Sequence, residues 1–356
     1  MTSDLVDFVA SMGGERSLRV EENFGDGFVK LRVSEAERRQ AKHDIRCIED
    51  VVVEMLRNSR DAGARRIFVA TFRDGSTRKL TILDDGSGVP ESMQDRIFDA
   101  RVTSKLESVH MDRWGVHGRG MALFSVKENA ESARVVDSAP GKGSSIKVVT
   151  DVEKVRERAD QSTWPSLGSD DDGNQSVVRG PHNIIRTCCE FALEERGRCE
   201  VYVGSPAEIA ATARRRVKPS LGGSDLLFVD TLSELPVLER FAVAADASEL
   251  FEVSRGLGLD MSERTAHRIV SGQVKPLRSV FSRLTHKGSP DPKEVDLQKD
   301  RRGLKVSVED LENFSRVMER DFSSIADKYY LCLAADPKIR VTRNKITVTF
   351  EIDEGD

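Results

Sequence analysis

No apolar run in this 356-residue chain approaches the roughly 18–20 residues that cross a bilayer, and its amino terminus lacks a secretory-signal pattern. Neither a membrane-spanning nor an exported protein is expected, and the cytoplasm is the expected compartment. The five cysteines, at 47, 188, 189, 199 and 332, are odd in number and form no Cys-x-x-Cys pair. That leaves neither a zinc site nor a disulfide framework to expect. A net charge of −5 removes the global basic signature of a nucleic-acid binder. Local basic clusters remain at Arg214-Arg215-Arg216 with Lys218 and at Lys299 with Arg301-Arg302; such runs are usually solvated helix ends. No internal repeat is visible. What is present, 38% hydrophobic and 32% charged residues, fits a folded chain of about two domains.

The most informative stretch is Glu54-Met-Leu-Arg-Asn58-Ser-Arg-Asp61-Ala62. Glu54 and Asn58 stand four residues apart, so a helix brings both onto one face, with Asp61 three further along. A carboxylate that can activate water, beside an amide oxygen that can hold Mg²⁺, suits cleavage of a phosphoanhydride. Polar pairs at this spacing more often line a solvated helix face, so the order of the later segments matters. Gly63 stops the helix, and a strand from Ile67 and a turn at Asp74-Gly75 come next. The return strand, Lys79 to Leu83, runs into Asp84-Asp85-Gly86-Ser87-Gly88. A carboxylate at a strand end, with glycines after it, suits a flat base with an exocyclic amine. Gly115-Val-His117-Gly118-Arg119-Gly120 then reads as a glycine-rich loop opening an apolar helix, a place for phosphates. Gly143-Ser144-Ser145-Ile146 feeds a last strand.

Four motifs in this order resemble those of the GHKL ATPases, the superfamily with the Bergerat ATP-binding fold. Its members include type II topoisomerases, ninety-kilodalton heat-shock chaperones, histidine kinases and MutL-type mismatch-repair proteins. The helix motif is Glu54, Asn58 and Asp61-Ala62; the adenine motif is Asp84, Gly86 and Gly88; the lid motif is Gly115, Gly118 and Gly120. The last motif has Ser144 where threonine is usual. Asn58-Ser-Arg-Asp61-Ala62-Gly63-Ala64 and Thr103-Ser104-Lys105 look most like MutL-type and topoisomerase VI B-type proteins, and the likeness covers roughly residues 40–150. Asp85 stands where asparagine is common, which would add negative charge near the nucleotide.

The resemblance implies an α+β fold: a Bergerat-type sandwich, its mixed sheet carrying helices on one face, plus a second mixed α/β domain. It implies ATP and Mg²⁺ as cofactors. Glu54 would be the general base, Asn58 the metal ligand, and Asp84 the acceptor for the adenine amine. Gly86 and Gly88 would let the base approach, with Ser144 and Asp61 beside it. Thr103, Ser104, Lys105, Gly115, Gly118, Arg119 and Gly120 would wrap the triphosphate, with His117 in the same lid. Lys299 is the candidate for a second-domain lysine reaching the γ-phosphate. The expected activity is slow Mg-dependent ATP hydrolysis driving a conformational switch, with nucleotide-dependent homodimerisation and an unidentified protein client. Alternatives are a protein kinase of the histidine-kinase or anti-sigma type, an ATP-gated DNA-binding regulator, and a binder without turnover. No clear phospho-acceptor helix surrounds His43, which weighs against the kinase.

Residues 1–33 are expected as a lead-in, 34–152 as the ATP-binding domain, 153–178 as a linker and 179–356 as the second domain. Ser34 with Glu37 predicts a capped start to one long helical stretch reaching Asp61. Within 248–272, Ser262 and the segment after it read as the second helix of a helix-turn-helix, with a turn about two residues too long. Glu263, Arg264, His267 and Arg268 would then face a DNA groove; a hairpin packing on its own domain is the alternative.

Overall fold

The computed structural model describes residues 20–104, 110–117, 120–158, 160–169, 175–221, 231–285, 308–329, 331–342 and 345–354. The chain divides into two compact units, Met1–His286 and Lys287–Asp356. Among the described residues no helix is long and apolar enough to cross a membrane.

The first unit opens with strands β1 (Val20–Gly25) and β2 (Phe28–Leu31) and helix α1 (Glu35–Asp44); the short β5 (Val102–Thr103) later pairs with β2. Ser34 and Glu37 form the expected capping box on α1, each side chain accepting from the other's backbone N–H. The stretch to Asp61 is two helices rather than one. Ile45 to Cys47 is extended, and α2 (Ile48–Asp61) starts afresh because the Asp50 carboxylate accepts from the N–H groups of Arg46, at 2.8 Å, and Cys47, at 3.1 Å.

The central sheet is built on the hairpin β3 (Arg66–Asp74) and β4 (Thr77–Asp84), followed by β8 (Ser132–Ser138), β9 (Ser144–Asp151) and β12 (Glu200–Gly204). Their order is β12-β3-β4-β9-β8, with β12 parallel to β3 and the other pairs antiparallel. In β3, Ile67, Phe68, Val69 and Ala70 are all buried. Ile67 and Val69 pack with α2 and with α4 (Ile184–Glu194), whereas Phe68 and Ala70 point into a separate apolar cluster on the opposite face. A strand buried on both faces needs a layer on each.

That second layer comes from α5 (Pro206–Arg216), α6 (Glu239–Val243), α7 (Ala247–Gly256) and α8 (Glu263–Val270). The next helix, α9 (Val280–Thr285), returns to the α2–α4 side, where Val280 is buried. Residues expected in a separate second domain thus complete the first, and the compact division falls after His286 rather than at 153–178. The stretch expected as a linker instead holds β10 (Ser166–Ser169), paired with β11 (Gln175–Arg179), while Trp164 packs on the core.

The α7–α8 pair is the helical hairpin seen in the sequence, and Ser262 caps α8 by accepting from Thr265 N–H. Its turn is fastened to the sheet. Thr81 Oγ1 donates to Gly258 O at 3.0 Å, Ser145 Oγ donates to Leu257 O at 2.7 Å, and Asp260 pairs with Lys79 and Lys147. Ala266 and Ile269 are buried against the same layer, leaving Glu263, Arg264, His267 and Arg268 exposed. Described by itself, the second unit holds α10 (Val308–Tyr329) and two antiparallel strand pairs, β13 (Leu331–Leu333) with β16 (Ile352–Glu354), and β14 (Lys338–Thr342) with β15 (Lys345–Thr349).

Candidate functional site

A cleft opens where α2, the end of β4 and the start of β9 converge, closed on one side by Val89, Ile97, Val102 and Leu123. Asn58, Asp61, Asp84, Gly88, Thr103, Ser104, Gly120 and Ser144 all line it, so the structure brings together most of the residues that the motifs nominated.

Asp84 sits at the floor, 3% exposed. Its Oδ2 accepts from Ser59 Oγ at 2.9 Å and Ser144 Oγ at 2.7 Å, and its Oδ1 accepts from Gly86 N–H at 2.9 Å. Burial pushes the carboxyl above its ordinary acidity range, and the negative charge of Asp85 adds to this. The bonds from Ser144, Gly86 and Ser59 oppose the shift by stabilising the ionised form. A carboxylate so placed can accept from an amine while hydroxyls hold its orientation.

The glycines beside it serve packing as much as any ligand. Gly88 lies at φ +70°, and a Cβ there would stand 1.9 Å from Ala139 O; Gly143 lies at φ +76°, with a Cβ 2.1 Å from Asp84 O. The 86–88 and 139–143 turns therefore interlock through bare backbone. Ser144 acts directly on Asp84, by the bond already given. Asp85 departs from expectation: its Oδ1 accepts from the N–H groups of Arg65 and Arg66, each at 2.7 Å, and its Oδ2 pairs with Arg66. It fastens the start of β3 and is not itself among the residues lining the cleft, although its charge reaches Asp84.

At the other end, Asn58 Nδ2 donates to Glu54 O at 2.8 Å, which commits the amide nitrogen to the helix and leaves Oδ1 for a ligand. Glu54 Oε1 accepts from Arg57 Nη1 at 2.9 Å. Arg57, with a side chain 3% exposed, also grips both carboxylate oxygens of Asp112 on β6 (His110–Asp112). Arg60 links Asp61 at 2.9 Å, Asp112 at 3.1 Å and Glu195 at 3.2 Å. Burial alone would raise the Asp112 carboxyl, but the two guanidinium groups hold it below its ordinary value.

Residues 43–154, which supply every residue lining this cleft except Phe28, match the family described as histidine kinase-, DNA gyrase B-, and HSP90-like ATPase. This segment is a GHKL domain. It is similar to the DNA mismatch repair protein MutL of Acidiphilium cryptum (strain JF-5), 38% identical over 108 residues, which are 30% of this chain and 18% of that protein. The MutL of Thermus aquaticus is 34% identical over 84 residues, 23% of this chain and 15% of that protein. The chain thus spans less than a fifth of the length of these relatives. A solved structure, the N-terminal domain of a DNA repair protein, shows 15% identity and a TM-score of 0.25, over 46% of this chain and 62% of that one.

Three nominated residues of the GHKL domain, Lys105, Gly118 and Arg119, lie outside the described residues, as does Lys299 beyond it. Gly115 starts a short strand, β7 (Gly115–His117), paired with β6, so this part of the expected lid loop is extended backbone. The apolar helix comes next as α3 (Ala122–Asn129). Gly120 accepts from Arg101 N–H at 2.8 Å through its carbonyl.

Sequence reasoning missed Ser59, Arg57 and Asp112. Ser59 could have been found, since it sits inside the Asn58–Asp61 motif and a buried polar helix residue implies a partner. Asp112 could not, because only the hairpin's placement brings it to α2.

Proposed function

We propose that the GHKL domain binds ATP with Mg²⁺ and hydrolyses it slowly, working as a nucleotide-driven conformational switch. The observation that carries this reading is Asp84, a buried carboxylate held by two hydroxyls and one backbone amide at the floor of the cleft. Such a group would accept a hydrogen bond from the exocyclic amine of adenine, and Val89, Ile97 and Ile146 supply apolar walls for the ring.

The residues present also fit a hard divalent cation. Asn58 offers a single amide oxygen, and Mg²⁺ is commonly held by one or two protein oxygens together with substrate phosphates and water. When bound, Mg²⁺ would neutralise charge developing on the transferred phosphoryl group. Thr103, Ser104 and the backbone at Gly120 would contact the phosphates. Glu54, one helical turn before Asn58, would take the proton from the attacking water. Lid ordering around the triphosphate would favour the closed state by its extra contacts there, and nucleotide-dependent pairing of two copies follows by resemblance.

The engagement of Glu54 by Arg57 favours one second reading, a switch that binds ATP without turnover. Measuring Mg²⁺-dependent ATP hydrolysis alongside nucleotide binding separates them. Under the first reading wild type turns over, Glu54→Ala binds but does not hydrolyse, and Asp84→Asn binds on the order of a hundredfold more weakly. Binding with no hydrolysis by wild type selects the second, and absence of binding overturns both.

A further inference from the structure

The basic cluster singled out in the sequence is part of a larger feature outside the cleft. A groove of about 1,210 Å³ runs beside β12, the edge strand of the central sheet. Arg65 and Arg66, at the start of β3, form one side of it. Arg196 and Arg198, from the turn between α4 and β12, lie next to them. Arg215, Arg216 and Lys218 come from the end of α5 and the residues after it. Glu200 is the single carboxylate among the lining residues, and it accepts from Tyr202 O–H at 2.9 Å. In a chain of net charge −5, seven cationic side chains against one acid is a local inversion of charge.

Few of these cations are neutralised. Arg66 pairs with Asp85 at 3.1 Å and Arg198 with Glu195 at 3.4 Å. Arg65, Arg215 and Lys218 are exposed and have no carboxylate partner among the described residues. Arginine and lysine concentrated this way raise the local concentration of a polyanion. The groove exceeds the roughly 300–1,000 Å³ of small-ligand sites, and its charge comes from three separate stretches of chain, which suits an extended polymer over a compact phosphate.

Two further observations narrow the polymer. Single-strand binders rely on open aromatic faces for base stacking. Here Tyr202 stacks on Phe68 at 4.8 Å and Phe281 is covered by Arg196 at 4.9 Å, so neither ring offers such a face. Base-edge reading requires an element that enters a duplex groove, whereas these cations sit at the ends of strands and helices. We propose that this groove holds the phosphate backbone of a nucleic-acid duplex without reading its sequence.

The full chain, titrated by fluorescence anisotropy into a labelled duplex of about 20 bp and arbitrary sequence, tests this directly. Binding should fall in the roughly 1–100 µM range and weaken steeply from about 50 to 200 mM salt. A second duplex of different sequence should bind equally, and the corresponding single strand more weakly. Arg215→Glu with Lys218→Glu should weaken binding at least about tenfold and flatten the salt slope by about two, one per cation lost. ATP binding by that variant should be unchanged, which also shows that it folds. DNA and RNA duplexes are run in parallel, and the tighter of the two identifies the source of the backbone. Salt-insensitive binding, an unaltered affinity in the groove variant, or equal affinity for polyglutamate would overturn the proposal. So would loss of binding in Arg264→Glu with Arg268→Glu on α8 alone.

Discussion

Asp84, on the cleft floor, is one carboxylate buried among two hydroxyls and a backbone amide, whereas around Glu54, on the same helix as Asn58, four carboxylates share two guanidinium groups. The first set is Ser59, Ser144 and Gly86 around Asp84; the second is Glu54, Asp61, Asp112 and Glu195 around Arg57 and Arg60. Neutral donors orient Asp84 without cancelling its charge, so it stays able to accept from a ligand. Their cost is a carboxyl whose protonation burial favours. Ion pairs in the second set fix geometry more firmly, yet each depends on its partner, because an unpaired charge left behind in a dry setting is costly. Under the proposed function the Asp84 set would recognise the base, and the Arg57–Arg60 network ties Glu54 to Asp112 on the β6–β7 hairpin.

Removing the Glu54 carboxylate should have the largest effect. Glu54→Gln is expected to lower the hydrolysis rate by roughly 10²–10⁴-fold while nucleotide affinity stays within about threefold. Equal losses in rate and affinity would erase the distinction between the two sets. Asp84→Asn should cost roughly 2–3 kcal/mol of nucleotide binding, on the order of a hundredfold, by replacing a charged acceptor in a dry site; calorimetry would measure it.

Arg57→Met should remove about 2 kcal/mol of stability in a denaturant titration, since it leaves Asp112 with Arg60 as its one remaining guanidinium partner and frees Glu54, which is partly exposed. A smaller loss than for a simple apolar truncation would show that the network is not cooperative. Ser144→Ala should be milder, about 1 kcal/mol of binding, because Ser59 and Gly86 still hold the carboxylate.

The pH dependence sharpens the same contrast. Asp84 has a raised folded-state pKa, so its contribution to stability is fully present below the unfolded carboxyl range near 3.9 and is lost as pH rises through the folded value. Nucleotide affinity should run the opposite way, increasing with pH over that window as the acceptor ionises. Asp112 has a lowered pKa, so its contribution is present above the same unfolded range and is lost as pH falls through its folded value. Stability and affinity followed together from about pH 3 upward would read both.

Much of the site was legible in the chain because its parts are local. Asn58 and Glu54 share a helix face by spacing alone, Ser34 and Glu37 cap α1, and Asp84 ends a strand before glycines that the turn geometry requires. The domain limits were less legible. The run Ile67-Phe68-Val69-Ala70 lacks the alternation of a half-exposed strand, and that was the one sign that helices would cover both faces. Asp85 looked like a nucleotide neighbour from its place beside Asp84, but side chains alternate along an extended chain and it turned back to the start of β3.

Spacing, capping and turn chemistry were therefore determined by the sequence itself, since each acts within a few residues. The pairing of β12 with β3 across more than a hundred residues, the meeting of Asp112 with Arg57, and the gathering of cations from three segments beside β12 were decided only by the tertiary structure. Burial, charge pairing and edge-strand registry depend on which distant surfaces meet, and no local pattern encodes that.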